Sequence, residues 1–214
     1  MNQLDVKHLG TLDYQSALEI QLDHLGKRIA DEINDTLLFV EHTPTITIGR
    51  NGNKSNLLIS EKILKDRGID YHEVTRGGDI TFHGPGQIVC YPIINLNYQF
   101  KDVHKYMRTL EQIIIDLLLE FDIEGRRIEG LTGVFVKRSK IASIGVGIKR
   151  WVTYHGLSLN VNTDLSYFDL IIPCGLNNNP VTSIKSWNRL NNEIEFNKVE
   201  DLLVKGFTKY FDYE

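Results

Sequence analysis

The stretch from residue 75 to residue 98 places a glycine-rich loop directly before a buried strand. It reads TRGGDITFHGPGQIVCYPIINLNY. Arg76 carries a rigid fork of N–H donors, and the two glycines after it have no Cβ, so a ligand can lie against their backbone. A Gly-Pro-Gly turn then leads into the apolar run 88–96, which is typical of a buried strand. Composition alone leaves two interpretations open, a ligand cradle and an ordinary hairpin turn.

The size and composition of the chain indicate a single domain over residues 1–214, with 42% hydrophobic residues to build its core. The formal net charge of −4 argues against a nucleic-acid partner, and no apolar run is long enough to cross a membrane. The first residues do not resemble a signal peptide, and the two cysteines have neither disulfide nor zinc spacing. We therefore expect a cytoplasmic protein.

Hydrophobic periodicity predicts an α+β fold with a mixed, largely antiparallel sheet flanked by helices. The apolar positions of the first helix run from Tyr14 to Ile33 and include Leu22, with Asp13 or Thr11 as its cap. The predicted helices cover residues 13–34, 60–67, 102–122 and 197–211, with a helical turn at 164–168. The predicted strands cover residues 4–9, 36–40, 45–48, 69–74, 88–96, 133–137, 140–149 and 153–161, and the last three are expected to be antiparallel.

The two cysteines have different surroundings. Cys174 lies between Pro173, which fixes the backbone before it, and Gly175, which allows close approach after it. Such a position suits an exposed, firmly held nucleophile. Cys90 lies in an apolar run, where cysteine behaves as a small hydrophobic residue. The seven histidines form no cluster with cysteines or carboxylates at ligand spacing, so we expect no metal.

Four motifs, in the right order along the chain, resemble the lipoyl(octanoyl) transferases, which share the fold of the biotin and lipoate protein ligases. The loop motif RGGxxT-aromatic-HGPGQ is the most specific of them. Residues 39–50 resemble the family's EHxPxxTxGR segment, residues 140–145 its KIAxIG segment, and residues 155–175, ending in FDLIIPCG, its nucleophile region. Phe135 replaces a tryptophan that the family prefers, so an aromatic ring is kept. The resemblance implies a biotin/lipoate protein ligase-like fold.

The resemblance also implies a catalytic pair. Cys174 would form an acyl thioester, and Lys140 would stabilise the thiolate and take its proton. Spacing alone favours a different interpretation of Lys140, a solvated lysine in a turn. We expect His83 to position the loop rather than act as a general base, and His155 to be structural or to line the pocket.

The acyl-binding site implied by the resemblance combines glycines, hydroxyl groups and apolar side chains. Ile144 and Leu157 are expected to wall an apolar tunnel, and backbone N–H groups near Gly145 or Gly175 to hold the oxyanion. The whole predicted set is Arg76, Gly77, Gly78, Asp79, Ile80, Thr81, Phe82, His83, Ser143, Ile144, Gly145, Gly156, Leu157 and Ser158.

The implied activity is transfer of octanoyl or lipoyl from an acyl carrier protein to a lysine of a lipoyl domain, the first step of protein lipoylation. The acceptors would be the lipoyl domains of 2-oxoacid dehydrogenases and the glycine cleavage H protein. The donor thioester is already activated, so we expect no ATP, metal or other cofactor. Two alternatives stay open: an ATP-dependent lipoate or biotin protein ligase, and a non-catalytic protein that binds lipoyl domains.

Positive charge is concentrated in residues 126–150. This segment has one acidic residue, Glu129, and seven basic ones: Arg126, Arg127, Lys137, Arg138, Lys140, Lys149 and Arg150. An acyl carrier protein is acidic, so the segment is either a docking face or ordinary surface charge.

Overall fold

The computed structural model describes residues 3–173, 180–188 and 192–213. Its strands are β1 Leu4–Leu12, β2 Asp35–His42, β3 Thr45–Ile48, β4 Asp70–Glu73, β5 Ile80–His83, β6 Gln87–Ile93, β7 Gly125–Arg126, β8 Val134–Val136, β9 Ser139–Lys149 and β10 Val152–Asn160. Its helices are α1 Tyr14–Ile29, α2 Glu61–Asp66, α3 Val103–Leu119, α4 Ile184–Trp187 and α5 Phe196–Phe211, with 3-10 turns at Lys54–Asn56 and Leu165–Leu170.

The larger of the two sheets has seven strands in the order β1-β2-β6-β10-β9-β8-β7. Its first pair, β1 and β2, is parallel, and every later pair is antiparallel. This arrangement confirms the predicted mixed, largely antiparallel sheet, including the three successive antiparallel strands near the end of the chain.

Helices cover both faces of the large sheet. The apolar stripe of α3, with Leu110, Ile114 and Leu118 fully buried, packs with α5 over the main core. Helix α1 covers the opposite face through Ala17 and Leu25. The stripe spacing of three and four residues explains why α3 was predicted correctly. No helix in the described part of the chain is long and apolar enough to cross a membrane.

A second sheet of three strands, ordered β4-β3-β5, lies beside the first and has its own core. Ile46, Ile80 and Phe82 pack there against Phe168. The sequence did not predict this sheet, because β5 follows a glycine-rich loop and was interpreted as part of that loop.

Helix α1 is shorter than the predicted span 13–34. Asp13 caps its start by accepting a hydrogen bond from the backbone N–H of Ser16 at 2.9 Å, as one of the two predicted caps. The helix ends at Ile29, and Asp31 has a left-handed backbone with φ of 57°. Two positions of the predicted stripe were therefore wrong: Leu22 is exposed, and Ile33 lies beyond the helix.

A buried carboxylate ties helix α1 and the C-terminal residues to the large sheet. Asp35, at the start of β2, accepts hydrogen bonds from Arg28 Nε at 2.7 Å, from the backbone N–H of Asn95 at 2.8 Å and from the Tyr213 hydroxyl at 2.7 Å. The side chains of Arg28 and Asp35 are 8% and 2% exposed. Burial and the neighbouring Asp35 carboxylate raise the pKa of Tyr213. Removal of one partner leaves the others buried without full compensation.

Asp35→Asn is expected to lower the free energy of unfolding by about 3 kcal/mol, because Arg28 loses its buried counter-charge. Urea denaturation monitored by circular dichroism measures this change. The control Asp23→Asn removes a carboxylate that pairs with Lys27 on the exposed surface of α1, so its effect should be much smaller. Equal losses in the two variants would contradict a structural role for the buried pair.

Candidate functional site

A cavity of about 340 Å³ lies between β9 and β10 of the large sheet and the loop that leads into β5. Its floor contains two cross-strand pairs of small residues, Gly145 opposite Gly156 and Ser143 opposite Ser158. Residues directly opposite each other share a face of the sheet, and residues two apart on one strand do so too. These four positions therefore remove side-chain bulk from one continuous patch of the sheet.

Glycine is required at both positions of the first pair. A Cβ at Gly156 would collide with the carbonyl oxygen of Cys90 on β6, and a Cβ at Gly145 would lie 2.8 Å from the carbonyl oxygen of Gly77. The backbone N–H of Gly77 donates to Val146 O at 3.0 Å. The missing Cβ of Gly145 thus allows the loop before β5 to lie directly across the sheet, and that of Gly156 allows close pairing with β6.

Arg76 holds this loop in place from within. Its side chain is buried, and it donates to the backbone oxygen of Thr47 at 2.9 Å, to Oγ1 of Thr47 at 2.8 Å and to the oxygen of Gly77 at 3.0 Å. Asp79 fixes the next turn by accepting from the Asn53 N–H and from the Asn56 side-chain amide. The loop is therefore an ordered wall of the cavity rather than a simple hairpin turn.

Twelve of the fourteen residues in the predicted acyl-binding set line this cavity. Phe82 does not, because its ring packs in the core of the small sheet and stacks on Tyr167 at 4.6 Å. Gly77 contributes its backbone to the loop but is also outside the lining. Ile144 and Leu157 border the cavity while their side chains belong to the main core.

Several lining residues lie outside the predicted site set. They come from α1, from the turn after β3, from the apolar strand β6 and from the segment before β8. The residues in question are Tyr14, Asn51, Val89, Tyr91, Gly130, Leu131 and Thr132. Only the long-range packing of these segments brings them to the cavity.

His83 is buried beside the cavity in its neutral form. Burial, with smaller contributions from His42 and Arg76, lowers the pKa of His83 to about 3. Its Nδ1 lies 2.8 Å from Oε1 of Gln87, whose amide nitrogen donates to Phe82 O and Asn160 Oδ1. Because the amide nitrogen is used in that way, Oε1 accepts, and Nδ1 of His83 carries the proton. This geometry matches the expected positioning role.

Lys140 lies in the cavity wall and is 5% exposed, so the interpretation as a solvated turn lysine is wrong. Its backbone N–H donates to Pro180 O at 2.8 Å, and its oxygen accepts from the Thr182 N–H at 2.9 Å. Its ammonium lies 5.5 Å from the centroid of the Phe135 ring. A Cβ at Gly133 would lie 3.2 Å from Cε of Lys140, so this glycine leaves room for the lysine chain.

The predicted nucleophile Cys174, together with Gly175, lies outside the described residues. Cys90 is fully buried in the main core, and desolvation raises the pKa of its thiol, which confirms the prediction of a small hydrophobic residue. Within residues 3–173, 180–188 and 192–213, no group of His, Cys, Asp and Glu side chains is arranged to hold a metal ion.

Three buried histidines give stability a defined dependence on pH. Burial lowers the pKa of His42 to about 4, and those of His83 and His155 to about 3. Below about pH 6.5 the unfolded chain binds protons that the folded chain excludes. Their contribution to stability is therefore complete above that pH and is lost as the pH falls toward 4.

His83→Gln is expected to reduce the fall in unfolding free energy between pH 6.5 and 4.5, by up to about 1.4 kcal/mol per pH unit. Urea denaturation at several pH values measures the slope, and subtraction of the wild-type curve removes the contribution of the carboxylates. The exposed His104 on α3 provides the control variant His104→Gln. An identical slope in wild type and His83→Gln would contradict a neutral His83.

The lipoyl protein ligase A/B catalytic domain model matches residues 13–208. An octanoyltransferase of Solibacter usitatus is 47% identical over 214 residues, which cover 100% of this chain and 96% of that protein. Relatives with the same name in other bacteria are 41–46% identical over at least 93% of the chain.

Solved structures show the same fold at low identity. A bipartite lipoate protein ligase of Thermoplasma acidophilum, solved with its E2 lipoyl domain, has a TM-score of 0.79 at 16% identity and covers 100% of this chain and 86% of that one. Lipoate-protein ligase A bound with ATP has a TM-score of 0.76 at 14% identity, and the match covers 100% of this chain and 86% of that one. The predicted ligase-like fold is thereby confirmed. Because the domain model and relatives matched over nearly their whole length agree, the chain belongs to the lipoyl protein ligase A/B catalytic domain family.

Proposed function

We propose that this acyltransferase moves an octanoyl group from the pantetheine thiol of an acyl carrier protein to a lysine of a lipoyl domain, through a thioester on Cys174. The observation that carries the proposal is the buried Lys140. A cation is costly to bury, yet this one lies in the wall of a cavity and is hydrogen-bonded through its backbone to the segment that follows Cys174. The octanoyltransferase relatives agree with this activity.

The described residues on both sides of Cys174 are anchored near the cavity. Two residues before it, the Ile172 N–H donates to Asn56 O at 2.8 Å, and the Asn56 side chain holds Asp79 at the cavity wall. Six residues after it, Pro180 O accepts from the Lys140 N–H. These two anchors support an approach of the cysteine to Lys140.

The chemistry divides into two balanced steps. The Cys174 thiolate attacks the carbonyl carbon of the octanoyl thioester, and the pantetheine sulfur leaves with a proton from Lys140. The acceptor amine then attacks the new thioester, the Cys174 sulfur leaves, and Lys140 takes the proton that the amine loses. A nearby ammonium favours the thiolate, which is the nucleophilic form of cysteine. Covalent catalysis thus splits the transfer into two easier steps.

The cavity suits the acyl chain of this substrate. Its floor lacks side-chain bulk, and burial lowers the pKa values of His83 and His155 to about 3, so both rings bring no charge. Arg76 directs two hydrogen bonds to Thr47 on β3 and one to Gly77 in its own loop. We assign these residues to binding the acyl chain of the substrate, and we assign Lys140 to the thioester end of that chain.

Of the basic segment 126–150, we assign the turn between β8 and β9 as the docking face for the acidic carrier protein. Lys137 and Arg138 are exposed there, next to Lys140 on the same strand pair. Arg127 instead pairs with the buried Glu111. Lys149 and Arg150 lie at the opposite end of β9, away from Lys140.

We assign the acceptor role to lipoyl domains, including those of 2-oxoacid dehydrogenases and the glycine cleavage H protein. We assign the location of the enzyme to the cytoplasm.

The main rival is an ATP-dependent ligase, because ligases share this fold. A ligase activates a free carboxylate as an adenylate and needs no acylated cysteine. A transferase starts from a thioester that is already activated. The low identity to those ligases supports only the fold, whereas the octanoyltransferase relatives match along nearly the whole chain.

Octanoyl-acyl carrier protein and a lipoyl domain should yield the octanoyl-lysine amide without ATP or magnesium. Free octanoate should yield no product even with both present. Lys140→Met is expected to lower kcat by about a hundredfold or more, because it removes the proton donor and acceptor. Mass spectrometry of the lipoyl domain measures the product.

Cys174→Ala should abolish transfer, and the matched control Cys90→Ala should retain it, since Cys90 lies in the main core. Product that requires ATP, forms from free octanoate and persists in Cys174→Ala would make the protein a ligase instead.

A further inference from the structure

The hydroxyl of Tyr14 and Nδ1 of His155 are buried polar atoms that have no hydrogen-bond partner within the described ranges. Both residues line the cavity, and each is 2% exposed. Buried polar atoms in native proteins nearly always bond to protein or to ordered water. The cavity therefore holds a polar group beside these two atoms.

The backbone fixes Tyr14 and His155 relative to each other. His155 has a left-handed φ of 54° in the middle of β10, which interrupts the regular alternation of that strand. Its N–H donates to Oε1 of the fully buried Gln21 at 3.0 Å. Gln21 lies two helical turns after Tyr14 on the same face of α1. Left-handed backbone at a residue other than glycine concentrates at functional sites.

Both side chains keep a fixed protonation state near neutral pH. Desolvation raises the pKa of Tyr14 to about 12, so its hydroxyl keeps a proton to donate. Desolvation likewise lowers the pKa of His155 to about 3, so the ring is neutral. A neutral imidazole has one donor and one acceptor nitrogen, and Nδ1 needs a partner in either tautomer.

His155 lies toward the end of the cavity away from Lys140, and Tyr14 lines the same cavity. Cε of Lys140 lies beside Gly133, next to the oxygen of Ala142, and His155 pairs with Val146. The four residue-to-residue steps from Ala142 to Val146 span about 13 Å of strand. An extended octanoyl chain spans about 9 Å from its carbonyl carbon to its methyl group. The difference between the length of this strand segment and that of the octanoyl chain leaves room for one layer of water.

We propose that Tyr14 and His155 hold water at the distal end of the cavity and thereby set the longest acyl chain that the enzyme accepts. The inference rests on the proposed function, which places the reacting thioester beside Lys140. An octanoyl chain ends before this water, whereas each further pair of carbons adds about 2.5 Å. A longer chain displaces the water and leaves both polar atoms unsatisfied, which weakens its binding.

The test compares kcat/KM for octanoyl-, decanoyl- and dodecanoyl-acyl carrier protein. Tyr14→Phe keeps the ring and removes only the hydroxyl, so the dodecanoyl-to-octanoyl ratio should rise about tenfold. His155→Asn should shift the ratio in the same direction, since asparagine tolerates left-handed backbone. Tyr106→Phe is the matched control, because this tyrosine is equally buried but lies in the main core under α3; its ratio should equal that of wild type.

A wild-type ratio in both Tyr14→Phe and His155→Asn, with octanoyl transfer intact, would overturn the chain-length proposal and leave the proposed function untouched. Failure of the wild-type protein to transfer octanoyl from any donor would contradict the proposed function itself. The two failures are therefore distinguishable in one set of assays.

Discussion

The candidate site depends on side chains that are absent from one patch of the large sheet. Gly145 and Gly156 face each other across β9 and β10, with Ser143 and Ser158 as the next pair on that face. A larger residue at Gly156 would collide with β6, and one at Gly145 would push away the loop that carries Gly77. The cavity, its wall and the position of Arg76 all follow from this constraint.

A second constraint concerns charge. Lys140 is a buried basic residue in the cavity wall, and its backbone forms hydrogen bonds to residues 180 and 182. His83 and His155, which line the same cavity, are neutral because burial lowers their pKa values. A buried ammonium in a cavity whose histidines are neutral suits the stabilisation of a thiolate and the transfer of its proton.

The parts of the fold that sequence predicted well are those with strong local periodicity. The apolar stripe of α3 and the successive strands β8, β9 and β10 have patterns that their own residues determine. The small sheet escaped prediction because β5 follows a glycine-rich loop and pairs with β3 more than thirty residues earlier. Spacing alone favoured a solvated turn for Lys140, whereas the structure buries it and pairs its backbone with residues 180–182, which are distant in sequence.

The resemblance to the transferases supplied most cavity residues, which periodicity alone does not mark. Tyr14 shows the limit of both approaches. Its place in an apolar helix stripe predicts packing, whereas its position at the cavity depends on how α1 lies against β10. Phe82 shows the opposite case, since it belongs to the motif but packs in the core of the small sheet.

The most direct test of the central claim is the intact mass of the protein after incubation with octanoyl-acyl carrier protein in the absence of acceptor. The account predicts the addition of one octanoyl group, mapped by peptide sequencing to Cys174 and removed when a lipoyl domain is added. An adduct on Cys90, or full transfer to the lipoyl domain by a Cys174→Ala variant, would contradict it.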